Sequence, residues 1–205
     1  MKLSFRLLLF LVAAPLAGWA DTFSFDDVNA GALPAEWLGG VTGSGNAKWS
    51  VAPDDSAPSK PQVLKQSGQG AFLWCVVKDV AFTNGAVEVQ FKAVAGKEDQ
   101  AGGVVWRFQE GDNYYVCRAN ALEDNVRIYR IVKGRRTQFG GADVRVTANQ
   151  WHTLRVEFTG PHFKVLFDGR HLFEAEDKTF TNTGKVGVWT KADSVTEFDD
   201  FWFGR

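Results

Sequence analysis

Apolar and polar positions alternate along most of this chain in short runs, without a sustained helical period. From Phe23–Phe25 to Thr196–Phe203, thirteen segments rich in Val, Phe, Trp, Thr and Tyr are broken at close intervals by turn residues. Such runs read as strands, because β-branched and aromatic side chains suit a pleated, half-buried surface. The pairs Asn84-Gly85, Lys133-Gly134, Gly140-Gly141 and Asp168-Gly169 are natural tight turns. No segment repeats apolar residues at helical spacing over three turns. The pattern predicts an all-β chain forming a two-sheet antiparallel β-sandwich. Gly31–Pro61, with Pro34, Pro53, Pro58 and Pro61, reads as an irregular surface wrap.

The hairpin loops of one region set a register: Gln109 opposite Tyr114, Ala121 opposite Val126, Val132 opposite Arg135. Val104, Trp106, Phe108, Tyr115, Cys117, Ala119, Ile128, Val132 and Phe139 then share one face. Arg107, Gln109, Tyr114, Arg118, Asn120, Arg127, Tyr129, Arg136 and Gln138 share the other. Arg130 and Thr137 are misfits on the apolar side, and Val105, Val116 and Ile131 on the polar side. Arginine forks, amides and tyrosine hydroxyls on one sheet can bind several hydroxyls or a carboxylate together, and aromatic faces can stack on a sugar ring. The competing reading is a solvated face with cross-strand ion pairs.

Composition adds a surplus of aromatics, eight Trp and 17 Phe beside a single Met. Trp37, Trp49 and Trp189, near loops or strand ends, are the candidates for stacking on sugar. Lys and Arg total 23 against 24 Asp and Glu, so global charge gives no reason to expect nucleic acid or an anionic membrane as partner. Lys2 and Arg6, the apolar run Leu7–Leu16 and Gly18-Trp19-Ala20 predict a signal peptide at residues 1–20, with an uncleaved anchor as the alternative. The expected product is one domain, residues 21–205, periplasmic or extracellular and without a membrane span. Cys75 and Cys117 lie in separate strand-like runs and are either a disulfide or two buried thiols.

Trp151-His-Thr-Leu-Arg-Val-Glu-Phe158 followed by Phe163-Lys-Val-Leu-Phe-Asp-Gly169 resembles the laminin-G and concanavalin A-like jelly rolls. Phe23-Ser-Phe-Asp-Asp27 and Glu197-Phe-Asp-Asp-Phe-Trp-Phe203 resemble their paired terminal strands. With Trp49-Ser-Val, Asn113-Tyr-Tyr and Lys185-Val-Gly-Val-Trp189, the chain is most similar to the bacterial 3-keto-disaccharide hydrolase-like group. The resemblance implies a jelly-roll β-sandwich whose concave sheet faces a saccharide. It leaves open enzyme, binding module and adhesion domain. The Glu-x-Asp-x-x-Glu run of the retaining glucanases of this fold is missing, since Glu110-Gly-Asp112 lacks the second Glu.

Cleavage of a 3-keto-glycoside instead needs one base, one acid and an enolate stabiliser. Asp99, Glu123, Asp124 and Asp193 are the candidate catalytic carboxylates, and Arg118 or Arg127 the candidate stabiliser. Gln100, Trp189 and Lys191 join the polar face as candidate substrate contacts. His152 reads as scaffold, and His162 and His171 lack metal-ligand spacing. If the terminal strands are neighbours, Asp26, Asp27, Asp199 and Asp200 are candidate ligands for a structural Ca²⁺, against the reading of exposed strand-end charge.

Overall fold

The structure, a computed structural model, describes residues 20–205. Ala20 apart, the expected leader at residues 1–20 therefore lies outside the described residues. Fifteen strands and no helix follow. They begin with β1 (Ala20–Phe23), β2 (Trp37–Asn46), β3 (Trp49–Pro53), β4 (Gln62–Gln66) and β5 (Gln69–Val77). The middle of the chain forms β6 (Gly85–Ala95), β7 (Ala101–Glu110), β8 (Asn113–Asn120), β9 (Asn125–Val132) and β10 (Arg135–Asp143). The last five are β11 (Trp151–Thr159), β12 (His162–Phe167), β13 (Arg170–Glu176), β14 (Lys185–Ala192) and β15 (Val195–Gly204).

They make two antiparallel sheets. One runs β13-β12-β11-β6-β15-β4-β3, with β1 added on β15, and the other β10-β9-β8-β7-β14-β5-β2. The terminal strands are neighbours, Phe23 opposite Phe201. Alternate residues of both sheets meet in one core: Leu73, Cys75, Val104, Trp106 and Ile128 from one side, Val87, Phe91, Leu154, Val165 and Phe201 from the other. Period-2 alternation puts these residues inside, which is the two-sheet sandwich the pattern predicts and the jelly roll the resemblance implies.

Two departures from the expected pattern matter for the site. The wrap expected at Gly31–Pro61 contains, besides β3 at the expected Trp49–Val51 run, the unexpected β2, an edge strand paired along β5. Its glycines obscure it in the sequence and explain its place. A Cβ at Gly40 would run into the Trp74 ring, so only glycine lets that indole lie flat across β2.

The second departure is in β7. A bulge between Trp106 and Glu110, with Arg107 at φ +46°, breaks the alternation. Phe108 moves to the face expected to be polar, and Arg107 leaves it. The Arg107 guanidinium is buried at one end of the sandwich against Phe158 and Phe163. It donates to the carbonyls of Thr83 (3.1 Å), Phe180 (2.7 Å) and Gly160 (2.6 Å), so it staples three loops. Gln109 follows it, donating to the Thr183 carbonyl at 2.7 Å.

The cysteine question has a geometric answer. Cys75 is opposite Val188, Val188 opposite Val104, and Val104 opposite Cys117. Both thiols lie in one cross-strand row, three strands apart, roughly 14 Å at the usual strand spacing. They are free and fully buried.

Candidate functional site

The outer face of the second sheet carries its own buried cluster, separate from the main core. Trp74, Val76, Val105, Phe108, Tyr114, Val116, Tyr129, Ile131 and Trp189 pack there, with Phe72 at the margin. The sheet curls strongly enough to cover them. Thr42 on β2 and Tyr114 on β8 are four strands apart, yet their hydroxyls are 2.9 Å apart. Arg136 of edge strand β10 lies over the rings of Tyr129 (4.5 Å) and, five strands away, Phe72 (5.1 Å). The face is thus concave, and one end is closed by Thr42 and the β7–β8 turn.

The other end is polar. Lys191 Nζ donates to Asp99 Oδ2 at 2.7 Å, and Asn120 Nδ2 to Asp99 Oδ1 at 2.6 Å. Asp193 does not reach this pair through its carboxylate. It accepts the backbone N–H groups of Lys97 (2.7 Å), Glu98 (3.0 Å) and Asp99 (3.0 Å), and those bonds hold its carboxyl below the usual range. It shapes the turn that presents Asp99. Gln100 Nε2 ties back to the Gly96 carbonyl.

Beside them, Arg118 donates to Glu123 (2.7 Å), to the Tyr129 hydroxyl (3.0 Å) and to the Asn125 side chain. Partial burial raises the Glu123 carboxyl, but Arg118 and the Asn125 amide outweigh it and hold the group below its ordinary value. Asp124 is turned away, accepting the Val146 N–H at 2.9 Å from a left-handed φ of +49°. Arg127 pairs with Asp143 at the sheet edge, and Gln138 is exposed. A groove of about 680 Å³ adjoins this end, with Phe72, Lys191, Gly70 and Gly45 among its walls.

The structure therefore brings together Asp99, Asn120, Arg118, Glu123, Tyr129, Trp189, Lys191 and Arg136, keeps Gln138 on the same face opposite Tyr129, and separates Arg107, Gln109 and Asp124 from them. Asn125, Phe72 and Trp74 belong to the site although the sequence pattern did not mark them. The signal for the two rings was the Ala71–Val77 run, apolar on both alternating sets, which marks a strand buried on both faces. Trp37 packs among Phe23, Phe25 and Phe201, and Trp49 against Phe198, so neither is open to a sugar. Trp189 is fully buried under Phe72. His152 stacks on Phe167 and bonds Asp168 at 2.8 Å, as scaffold.

The four aspartates considered for calcium do not converge. Asp199 is fully buried and accepts Ser59 N–H (2.8 Å) and Ser59 Oγ–H (2.7 Å). Asp200 accepts from Gln90, Asp26 from the Gln62 N–H, and Asp27 is exposed. Protein donors occupy oxygens a cation would need, and no group of three His, Cys, Asp or Glu among the described residues is placed to hold a metal.

A family model described as the 3-keto-alpha-glucoside-1,2-lyase-like domain matches residues 23–204. The chain belongs to this family. Among solved structures it is similar to the carbohydrate-binding module CBM66 from Bacillus subtilis, at TM-score 0.67 and 18% identity, over 81% of this chain and 93% of that one. A prokaryotic β-1,3-1,4-glucanase from a mouse hindgut metagenome gives 0.58 and 14%, over 91% and 98%. The β-glucanase of Bacillus licheniformis gives 0.56 and 13%, over 91% and 97%. Among curated proteins there is no match. These likenesses make the chain a carbohydrate-related jelly-roll domain of the lyase-like family.

The family chain offers its concave site a dense set of donors and few free acceptors. Lys191 and Arg118 each carry a carboxylate already, and Asn120, Asn125 and Tyr129 add amide and hydroxyl groups. Vicinal hydroxyls that donate to Asp99 or Glu123 and accept from Lys191 or Arg118 would meet matching partners at ordinary hydrogen-bond distances.

Proposed function

We propose that the chain is an exported saccharide-binding domain whose ligand enters the concave face beside Lys191, Asp99, Arg118 and Glu123. The observation that carries this reading is the pairing of that polar cluster with an adjoining groove walled by Phe72. Charged groups fix hydroxyl positions and the ring edge shields one sugar face. Export rests on the leader pattern at residues 1–20.

Cleavage is the second reading, and membership of the lyase-like family favours it. Elimination from a 3-keto-glycoside removes the acidified proton next to the ketone, so it needs a carboxylate free to take a proton. Asp99 is the better placed of the two carboxylates, because it is buried and a substrate hydroxyl could displace Lys191 from it. Glu123, held low by Arg118, is a weak base and is assigned to binding.

The test is a panel of oligosaccharides with their 3-keto forms, scored for thermal shift and for product release. Binding without turnover supports the module, and turnover of the keto forms alone supports the lyase. A panel that shifts nothing and releases nothing removes both readings.

A further inference from the structure

Arg136 differs from the other cations of the concave face. Arg118 is paired with Glu123, Arg127 with Asp143 and Lys191 with Asp99. Arg136 forms no ion pair among the described residues, and its Nη1 is buried without a hydrogen-bond partner. Asp112, in the neighbouring β7–β8 turn, is exposed and also forms no ion pair with it. The guanidinium carbon lies 4.5 Å from the Tyr129 ring centre and 5.1 Å from that of Phe72, and Phe72 is itself a wall of the 680 Å³ groove. A buried guanidinium donor left unmet is costly, and a planar fork matches a planar, two-oxygen acceptor. The charge that Arg136 leaves uncompensated therefore sits against Phe72, one residue behind the groove wall.

We propose that Arg136 reads a carboxylate on the saccharide, so that the ligand class is a uronic-acid-bearing oligosaccharide rather than a neutral one. This inference rests on the saccharide reading above. In the bound state the carboxylate takes two parallel N–H bonds from Arg136, while the sugar hydroxyls address the Lys191–Asp99 and Arg118–Glu123 pairs. A lysine in this place cannot substitute for the fork, because an ammonium is a point charge that does not stack in the plane between two rings.

The experiment titrates the full chain with trigalacturonate and with its carboxyl-reduced, neutral counterpart, at low and high salt. The expected result is affinity for the uronate about 10- to 100-fold above the neutral sugar, the worth of a charged hydrogen-bond pair, shrinking as salt rises. Arg136→Met and Arg136→Lys abolish the preference, and Arg135→Gln, an exposed neighbour, keeps it. The salt and carboxyl-reduction comparisons use the unaltered chain, so they stand even if Arg136→Met folds poorly. Equal affinity for both sugars overturns the inference and leaves the saccharide reading intact. A preference that survives Arg136→Met also overturns it. No binding of either sugar, or of the neutral panel above, overturns the inference together with the reading it rests on.

Discussion

The hydroxyls of Thr42 and Tyr114 are 2.9 Å apart although four strand positions separate them in one sheet. In a flat sheet the two strands would be roughly 19 Å apart. Thr42 Oγ1 also donates to the Gly111 carbonyl in the β7–β8 turn. The sheet is thus drawn nearly into a barrel at one end, and the rings beneath the closure lose contact with water. Burial pushes the Tyr114 phenol up to about 12, so it remains a neutral donor at any working pH.

Tyr114→Phe is expected to cost about 1 kcal/mol, the net worth of one hydrogen bond, and Thr42→Val more, because it strands two partners. The double variant should cost less than the sum of the two. Urea unfolding of all four proteins measures this coupling, and strict additivity would show that the closure holds nothing.

Arg107 is the largest single polar staple. Arg107→Met leaves three carbonyls without their donor and is expected to destabilise by about 3 kcal/mol or more. Arg107→Lys restores charge without the fork and should recover little. A Lys variant as stable as the original would mean that charge alone matters there.

Asp199 gives the fold an unusual pH dependence. Burial raises its pKa to about 6 against the opposing bonds from Ser59 and the Asp200 N–H. A folded value above the unfolded one, near 4, makes its contribution complete below pH 4 and lost as pH rises through 6. A displacement of that size is worth on the order of 2–3 kcal/mol. Asp54, Glu123, Glu157 and Asp177 are held low and act in the opposite sense, below their ordinary values, in the original and variant alike. Unfolding curves from pH 4 to 7 for the original and for Asp199→Asn should therefore diverge across that window. Parallel curves would refute the assignment.

Lys191 and Asp99 separate stability from binding. Lys191→Met leaves a buried carboxylate uncompensated and is expected to cost about 3 kcal/mol. Adding Asp99→Asn should restore most of the stability and none of the saccharide affinity. Thermal melts and sugar titrations on the same samples check both halves.

Alternation made the sandwich legible, because a strand buried on one face must repeat every second residue. It also sorted β8, β9 and β10 correctly: Tyr114, Arg118, Asn120, Arg127, Tyr129 and Arg136 do share a face. The sorting failed where the backbone breaks its period. One bulge at Arg107 sent a charge inward and Phe108 outward, and nothing in Trp106-Arg-Phe-Gln109 announces it. β2 stayed hidden because its glycines serve neighbouring indoles instead of a strand pattern, Gly39 facing Trp49 and Gly40 facing Trp74. Val105, Val116 and Ile131, misfits on a face expected to be wet, belong to its covered aromatic floor. Curvature is a property of the whole sheet, so the alternation of single strands carried no trace of it.

Cys75 and Cys117 sit in one row, closed off by Val188 and Val104 between them. Burial raises both thiols well above their ordinary values, Cys75 as well as Cys117, so neither is reactive while the sandwich is intact. Unfolding frees the two together. In an oxidising compartment a melted chain then cross-links to itself or to its neighbours, and the first excursion out of the native state becomes a one-way step unless a reductant is present.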